Sequence, residues 1–422
     1  MLKRIHVRHL STGMYIHEFC GSWMEHPFWR TRFLLRSPAD VARIQDSSIQ
    51  EVWIDTDKGD DVPDAAQPVS RTQANAQIDT ALAGADPPAP DPAPFVARTT
   101  LDAHASASTA QELERARHIC ASAKTQVLSM FEEARMGHAI DAQGAQATVD
   151  EITGSLARNP GALISLARLK TADEYTYMHS VSVSALMLAL ARQLQLDEAT
   201  TRLAGMAGLM HDIGKARIPD AILNKPARLS DEEFDIMRSH PAFGVEMLRA
   251  SKMPPQVLDA CLHHHEKMDG SGYPHRLMGA DIHLLARMNA ICDVYDAVTS
   301  NRPYKNGWDP SDALRRMAEW TRGHFDSRIF QAFVRCMGIY PTGSLVRLAS
   351  GHLAVVLEQS PGTLLAPRVR LFFSLQSGRR VAPEVIDLAR PGCGERIAGR
   401  EDPARWDFKD LDSLWIDAAA PR

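Results

Sequence analysis

Histidine and aspartate residues recur on successive helical segments or at their ends, and this pattern constrains the fold more than any other feature of the sequence. From about residue 109 to 338, apolar residues follow the period of an α-helix, with charged residues between them. The candidate ligands stand on different predicted helices or helix ends: His179, His211, Asp212, His240, His264, His265 and Asp293. A helix bundle can direct such side chains to one shared centre. The sequence therefore predicts a mainly α-helical domain built around a metal site.

The types of side chain narrow the choice of metal. Imidazole combined with carboxylate suits divalent iron, manganese, zinc or nickel and argues against a site for magnesium alone. Small residues share the helix faces of the candidate ligands: Ala204, Gly205, Ala207, Gly208, Ala286, Ala290 and Ala297. Small neighbours allow the close approach that metal–ligand distances of about 2 Å require. Tight helix packing alone is the alternative explanation for these small residues.

The adjacent pair His211-Asp212 also fits a site with two metals. A carboxylate can bridge two ions while the neighbouring imidazole binds one of them. Two ions roughly 3.5–4 Å apart stabilise both the attacking and the leaving oxygen in phosphoester hydrolysis. The pair alone is a weak signal, but the other spaced ligands strengthen it considerably.

Four ordered motifs carry a resemblance to a known family. They are HDIGK (211–215), HHE (264–266), DGSGYP (269–274) and DVYDAVTSNRPYK (293–305). Together they resemble the HD-GYP family, a branch of the HD-domain metal-dependent phosphohydrolases whose members are bacterial phosphodiesterases that cleave cyclic di-GMP. The match covers residues 170–340 of a helical domain spanning 109–340. The resemblance implies hydrolysis to the linear dinucleotide pGpG, with a metal-bridging hydroxide as nucleophile, and leaves open further cleavage to GMP.

The same resemblance implies two bound divalent ions, iron or manganese. It assigns one ion to His179, His211 and Asp293, and the other to His240, His264 and His265. Asp212 would bridge the two ions. Some family members bind a third metal through a glutamate four residues before the position of His179. Tyr175 occupies that position here, so two metals are expected.

Basic residues near these motifs are expected to contact the substrate. By resemblance, Lys215 contacts the scissile phosphate and assists the leaving oxygen, acting with Asp212 in catalysis. Arg302 and Lys305 correspond to the family's phosphate-binding pair, and an Arg fork suits phosphate oxygens. From the residues alone, Lys215 is equally a lysine favoured by a helix C-terminus. Without the resemblance, Arg302 and Lys305 would be ordinary solvated charges.

The glycine-rich turn has two interpretations. The resemblance gives Gly272, Tyr273 and Pro274 a role in recognising the substrate, and links this region to contacts with diguanylate cyclase (GGDEF) domains. The alternative is that they only shape the loop, because glycine permits unusual φ values and proline fixes the chain's exit.

Other residues near the turn have no matched role in the family. They are the histidines His263, His275 and His283, and we interpret His263 as a surface or supporting residue. Glu266 could orient a ligand histidine or simply pair with a neighbouring charge.

The flanking segments predict smaller β elements. The pattern of residues 1–62 predicts short strands separated by glycines. This segment is similar to a small domain of unknown function often found ahead of HD-GYP domains. We expect it to be a regulatory module. Residues 63–108 are rich in proline and alanine and predict a linker. Strand signals return at 341–375, similar to the β extension that closes the HD-GYP unit. Residues 376–422 are rich in glycine, proline and charge, and predict an irregular tail.

Composition excludes several other functions. The net charge of −5 gives no general basic field for a nucleic-acid polymer. The most apolar run, 181–191, is too short to span a bilayer and predicts a buried helix. Six scattered cysteines without a CxxC pair fit a reducing compartment, so a cytoplasmic location is expected. The sequence does not fix the oligomeric state.

Two other functions remain open at this stage. The first is an HD phosphohydrolase that acts on another nucleotide, and the GSGYP and RPYK motifs argue against it. The second is a catalytically weak domain that senses cyclic di-GMP or binds a protein partner. Degenerate relatives usually lose ligands, whereas all seven candidate ligands are present in this chain.

Overall fold

The computed structural model describes residues 1–20, 32–47, 49–62, 68–70, 73, 109–168, 175–225, 227, 229–300, 307–321, 323–360 and 363–416. The chain divides into two compact units. One comprises Met1–Ala85 and Arg315–Gly323, and the other comprises Asp86–Leu314 and His324–Arg422. Apart from residues 68–70 and 73, the predicted linker 63–108 lies outside the described residues. Within the described ranges, no helix combines the length and apolar character needed to cross a membrane.

The first unit is built on an antiparallel sheet that runs, among its described residues, in the order β3-β2-β4-β1-β5. Its strands are β1 (Leu2–His6), β2 (Tyr15–Cys20), β3 (Phe33–Leu34), β4 (Glu51–Asp55) and β5 (Val69–Ser70). Side chains alternate between the two faces of a strand, so Ile5, Ile16 and Val52 lie on one face and form a small core. Helix α1 (Pro38–Gln45) adds Ile44 to that core. This confirms the predicted β-containing N-terminal region.

Helices dominate the chain from Thr109 to Met337 and confirm the predicted mainly α fold. In chain order they are α2 (Thr109–Arg135), α3 (Ala142–Arg158), α4 (Pro160–Arg168), α5 (Tyr175–Gln193), α6 (Glu198–Met210), α7 (Asp220–Leu223), α8 (Asp231–Arg238), α9 (His240–Ala250), α10 (Pro255–His263), α11 (Leu284–Thr299), α12 (Pro310–Trp320) and α13 (Ser327–Met337). A short 3-10 helix, Ile213–Arg217, follows α6.

Local sequence signals determine where helices begin and which helix is buried. Asp197 caps α6 by accepting the backbone N–H of Thr200. Ser230 and Glu233 form a capping box at the start of α8. The apolar run 181–191 lies in α5 and is buried along its length, as predicted. His179 lies near the start of α5. Because α5 is a core helix, this polar side chain is also buried inside the domain.

A second antiparallel sheet follows the helices, with the described strand order β10-β6-β7-β8-β9. Its strands are β6 (Leu345–Leu348), β7 (His352–Ser360), β8 (Thr363–Ser374), β9 (Arg379–Asp387) and β10 (Ile397–Arg400). Phe372 packs in its core with Trp415 from helix α14 (Leu411–Ile416).

Regular structure therefore continues past residue 375, where sequence analysis predicts an irregular tail. Strand β9 pairs with β8 at one edge of the described sheet, and most of its residues are exposed. An exposed edge strand needs few apolar residues, so it lacks the alternation that identifies strands in sequence.

Candidate metal centre

Five helix-end residues and two residues inside helices bring all seven predicted ligands to one centre. His179 lies in the second turn of α5, whereas Asp293 lies within α11. The remaining five flank helix ends: His211 and Asp212 follow α6, His240 begins α9, and His264 and His265 follow α10. A side chain at a helix end can point along the helix axis toward neighbouring helices. Side chains from separate helices can therefore meet at one point.

The carboxylate of Asp212 lies at the middle of this centre. Its Oδ2 atom is 3.3 Å from Nε2 of His211 and 3.7 Å from Nε2 of His179. Its Oδ1 atom is 3.3 Å from Nε2 of His240 and 3.9 Å from Nε2 of His264. Each oxygen therefore faces a different group of ring nitrogens, which is the arrangement that a bridging carboxylate needs.

The other ligand atoms fall into two clusters on either side of Asp212. The donor atoms of His179, His211 and Asp293 lie within 4.8 Å of one another, and so do those of His240, His264 and His265. These are the same two sets that the family resemblance implies.

Within the second cluster, the ring nitrogens are spaced as metal ligands would be. Nε2 of His240 and Nε2 of His264 are 3.4 Å apart. Two nitrogen ligands of one tetrahedral ion, each at about 2.0–2.1 Å, would have a similar separation.

Four of the histidines have their Nδ1 atoms hydrogen-bonded away from the centre. The pairs are His179 with Oδ2 of Asp296 at 2.6 Å, and His211, His240 and His264 with the carbonyl oxygens of Gly208, Met237 and Cys261, each at 2.8 Å. A carbonyl oxygen or an ionised carboxylate can only accept, so Nδ1 carries the proton in these rings. The Nε2 lone pair is then left facing inward, ready to bind a metal.

Asp296 is a residue of this centre that sequence analysis did not single out. It lies one helical turn after Asp293 on α11, is 3% exposed, and accepts the hydrogen bond from His179. The available signal was its i,i+3 spacing from Asp293 in the motif DVYD, which places both carboxylates on one side of the helix. That spacing does not reveal which histidine lies opposite.

Buried atoms without partners indicate that the centre fits a cation. Among the described residues, Nε2 of His211 and Oδ1 of Asp212 are buried and have no hydrogen-bond partner. Buried polar atoms nearly always have one. A cation between them would supply the missing interaction, and this donor set suits iron, manganese, zinc or nickel.

Burial and neighbouring charges set the protonation states that metal binding requires. Burial lowers the pKa of His264 to about 3, so this imidazole is neutral at pH 7. Burial raises the pKa of Asp212, but the ammonium of Lys215 and the neighbouring histidines together outweigh burial and hold that pKa well below its usual range. For Asp293, burial likewise raises the pKa, but the neighbouring histidines, His179 first among them, together overcome burial and lower it. Neutral imidazoles and ionised carboxylates are the forms that bind metals.

The turn after Asp212 places Lys215 at the edge of the centre. Lys215 donates from Nζ to Oδ2 of Asp212, and about a quarter of its side chain is exposed. A Cβ atom at Gly214 would lie only 1.9 Å from the carbonyl oxygen of His240. Glycine is therefore needed for this turn to pack against the start of α9.

Some predicted site residues lie outside the described part of the chain. Arg302 and Lys305 fall in 301–306, which the structure does not describe. The side chain of Tyr175 is also outside the described set.

The glycine-rich turn packs against the residues that follow α10. The Tyr273 ring stacks on His265, with centroids 4.7 Å apart and an angle of 25° between the planes. The guanidinium of Arg238 lies 5.0 Å from the centroid of the Tyr273 ring. A Cβ atom at Gly272 would lie 2.5 Å from Cα of Glu266. Close packing therefore accounts for Gly272 and Tyr273, and the Tyr273-Pro274 peptide bond is cis.

The hydrogen-bond partners found for Glu266 are backbone N–H groups on the far side of this turn, whereas the sequence also allowed an ion pair with a neighbouring charge. The residue is 2% exposed, and its carboxylate accepts the backbone N–H groups of His275, at 2.7 Å, and Leu277, at 3.1 Å. Its two hydrogen bonds fix the chain just after Pro274. His283 caps α11 by accepting the N–H of Leu285.

Family models match two regions of the chain. A domain of unknown function, DUF3391, matches residues 2–145, and an HD domain matches residues 155–329. The first match extends past residue 62, where sequence analysis ends the N-terminal module.

Curated relatives are similar over different lengths. A cyclic di-GMP phosphodiesterase of Pseudomonas aeruginosa is 51% identical over 421 residues, 99% of this chain and 97% of that protein. A cyclic di-GMP phosphodiesterase response regulator of Xanthomonas campestris is 40% identical over 40% of this chain and 47% of that protein. A 3′3′-cGAMP-specific phosphodiesterase of Vibrio cholerae is 38% identical over 34% of this chain and 28% of that protein. The first similarity thus extends well beyond the metal centre.

Proposed function

The chain belongs to the HD-GYP family of metal-dependent cyclic di-GMP phosphodiesterases, and on this premise we propose that it hydrolyses cyclic di-GMP to the linear dinucleotide pGpG. The reaction breaks a 3′–5′ phosphodiester bond of the cyclic dinucleotide. The observation that carries this proposal is the placement of Asp212 between two clusters of inward-facing ring nitrogens. Whether pGpG is cleaved further to GMP is a question for product analysis.

We propose that this centre holds two divalent ions, iron or manganese. The ligands would be His179, His211 and Asp293 for one ion, His240, His264 and His265 for the other, and Asp212 for both. When bound, such ions polarise the phosphoryl oxygens and lower the pKa of a bound water. The protein's contribution is to fix the ring tautomers through hydrogen bonds at Nδ1 and to keep both carboxylates ionised.

Lys215 is proposed to balance charge on the phosphate. Its ammonium has three donors, and the structure gives one of them to Asp212. The side chain is partly exposed, so its other two donors are available to an incoming phosphate. A positioned cation stabilises charge that develops in the transition state. We propose the same role for Arg302 and Lys305.

Substitutions of Tyr273 separate loop shaping from substrate recognition. Tyr273→Phe keeps the ring that stacks on His265, so we expect kcat/KM to stay within about threefold of wild type. Tyr273→Ala removes the ring and should lower kcat/KM by roughly tenfold, with a lower metal content. Steady-state kinetics with metal analysis would measure both effects. A tenfold rise in KM for Tyr273→Phe would instead assign recognition to the hydroxyl group.

The proposed function is tested by combining metal analysis with a substrate panel. Protein purified without oxygen and loaded with iron or manganese should contain two ions per chain and convert cyclic di-GMP to pGpG. The panel should also include 3′3′-cGAMP, cyclic mononucleotides and mononucleotides. Turnover of the mononucleotides alone would contradict the proposal and favour another nucleotide as substrate. Binding of cyclic di-GMP without hydrolysis by loaded protein would favour a sensor.

Partner binding and location are separate proposals. We propose that the turn around Tyr273 contacts diguanylate cyclase (GGDEF) domains, and a pull-down unaffected by replacing Tyr273 would count against this. We also propose a cytoplasmic location, since the six cysteines are scattered without a CxxC pair, which fits a reducing compartment.

A further inference from the structure

A second cluster of potential metal ligands lies outside the centre described above. It consists of His263, Glu266 and His275, whose donor atoms lie within 4.8 Å of one another. His263 is the last residue of α10, and His275 directly follows the Gly-Tyr-Pro turn. Neither histidine belongs to the ligand set of the first centre.

His263 is oriented by a carboxylate in the manner of a metal-binding histidine. Its Nδ1 atom lies 3.0 Å from Oδ1 of Asp259, one turn earlier on α10. A carboxylate accepts this hydrogen bond, so Nδ1 carries the proton and the Nε2 lone pair faces away from Asp259. Such carboxylate–histidine pairs fix ring orientation and raise ligand basicity at metal sites.

The Nε2 atom of His263 faces a second ring nitrogen. It lies 2.9 Å from Nδ1 of His275. Two nitrogen ligands at right angles on one ion, each at about 2.1 Å, would be separated by roughly this distance. A hydrogen bond between the rings gives the same distance, so the third side chain matters.

Glu266 completes the set and leaves the site accessible. Its carboxylate is held in place by the backbone N–H groups of His275 and Leu277. His263 and Glu266 are buried, whereas His275 is exposed. An ion can therefore enter from the His275 side and keep water in its remaining positions.

We propose that His263, Glu266 and His275 form an accessory site for one divalent transition metal; zinc, which takes imidazole and carboxylate ligands, serves as the probe ion. The ion would tie the end of α10 to the chain after Pro274. The Gly-Tyr-Pro turn lies between these points, and its tyrosine stacks on His265. Occupancy would therefore stabilise the turn beside the first centre.

The experiment counts bound zinc in matched variants. Wild type, His275→Gln and His263→Gln are equilibrated with zinc by dialysis, and metal per chain is measured. His138→Gln is the control, because His138 is also exposed but lies outside the cluster. We expect both cluster variants to bind one equivalent fewer than wild type and the control, or to need at least about tenfold more free zinc for it.

Equal zinc content in His275→Gln and wild type would overturn the proposal. Since His275 is exposed, its substitution should leave the fold intact, and circular dichroism checks this. Zinc should also raise the melting temperature of wild type more than that of His275→Gln; equal shifts would contradict the site. Cyclic di-GMP turnover in His275→Gln, assayed with manganese, is expected to persist. The metal count thus tests the accessory site separately from the proposed function.

Discussion

Asp212→Asn is expected to lower cyclic di-GMP turnover by roughly 10²–10³-fold and to remove at least one metal ion per chain. In the structure the two oxygens of Asp212 face different clusters of ring nitrogens. The amide of asparagine has the same size but is neutral and offers only one oxygen. It cannot serve two ions, and it no longer pairs with the ammonium of Lys215. Metal analysis and turnover assays on the same preparation would measure both losses.

An exposed carboxylate provides the matched control for this substitution. Asp281→Asn makes the same chemical change on the short 3-10 helix Gly279–Asp281, away from the ligand clusters. It should keep two metals and wild-type turnover. If Asp212→Asn kept two metals and more than a tenth of the wild-type rate, Asp212 would not be the shared ligand. A melting curve would show whether either variant is folded.

The helical domain could be predicted because its sequence signals are local. The apolar run 181–191 is continuous on all sides of a helix, which is the pattern of a buried core element, and α5 is buried. Histidines at helix ends, such as His211 and His240, could be recognised as one set because the residue types and their order already carry the chemistry. The structure adds that Asp212 lies between the two groups.

Contacts between segments that are distant in the sequence could not be predicted from local sequence patterns. The bond from His179 to Asp296 joins residues that are 117 positions apart, and periodicity does not specify which helices pack together. The role of Gly272 depends on the backbone of Glu266 lying 2.5 Å from a Cβ atom that glycine lacks. Strand β9 is exposed at an edge of the sheet, so its sequence lacks the alternation of apolar and polar residues that a half-buried strand shows. In each case the deciding fact is a tertiary neighbour.

Asp296→Asn is expected to weaken metal binding by about 10–100-fold while leaving the protein folded. The asparagine oxygen can still accept the hydrogen bond from Nδ1 of His179, so the ring stays close to its orientation. The negative charge is lost, however, and the imidazole becomes a weaker base and a poorer ligand. Titration of metal-free protein with manganese, followed by turnover and by direct binding, would measure the change.

Rescue by metal distinguishes this positioning role from a general structural one. At saturating manganese, Asp296→Asn should recover kcat to within a few-fold of wild type, because Asp296 touches His179 rather than the reacting phosphate. Asp212→Asn should not recover, since the shared ligand itself is missing. Unchanged manganese affinity in Asp296→Asn would contradict the role of Asp296, because a carboxylate that orients a ligand must alter the affinity when its charge is removed. Lost activity that excess metal cannot restore would also contradict it, and would mean that the Asp296–His179 contact serves the fold of α5 and α11 instead.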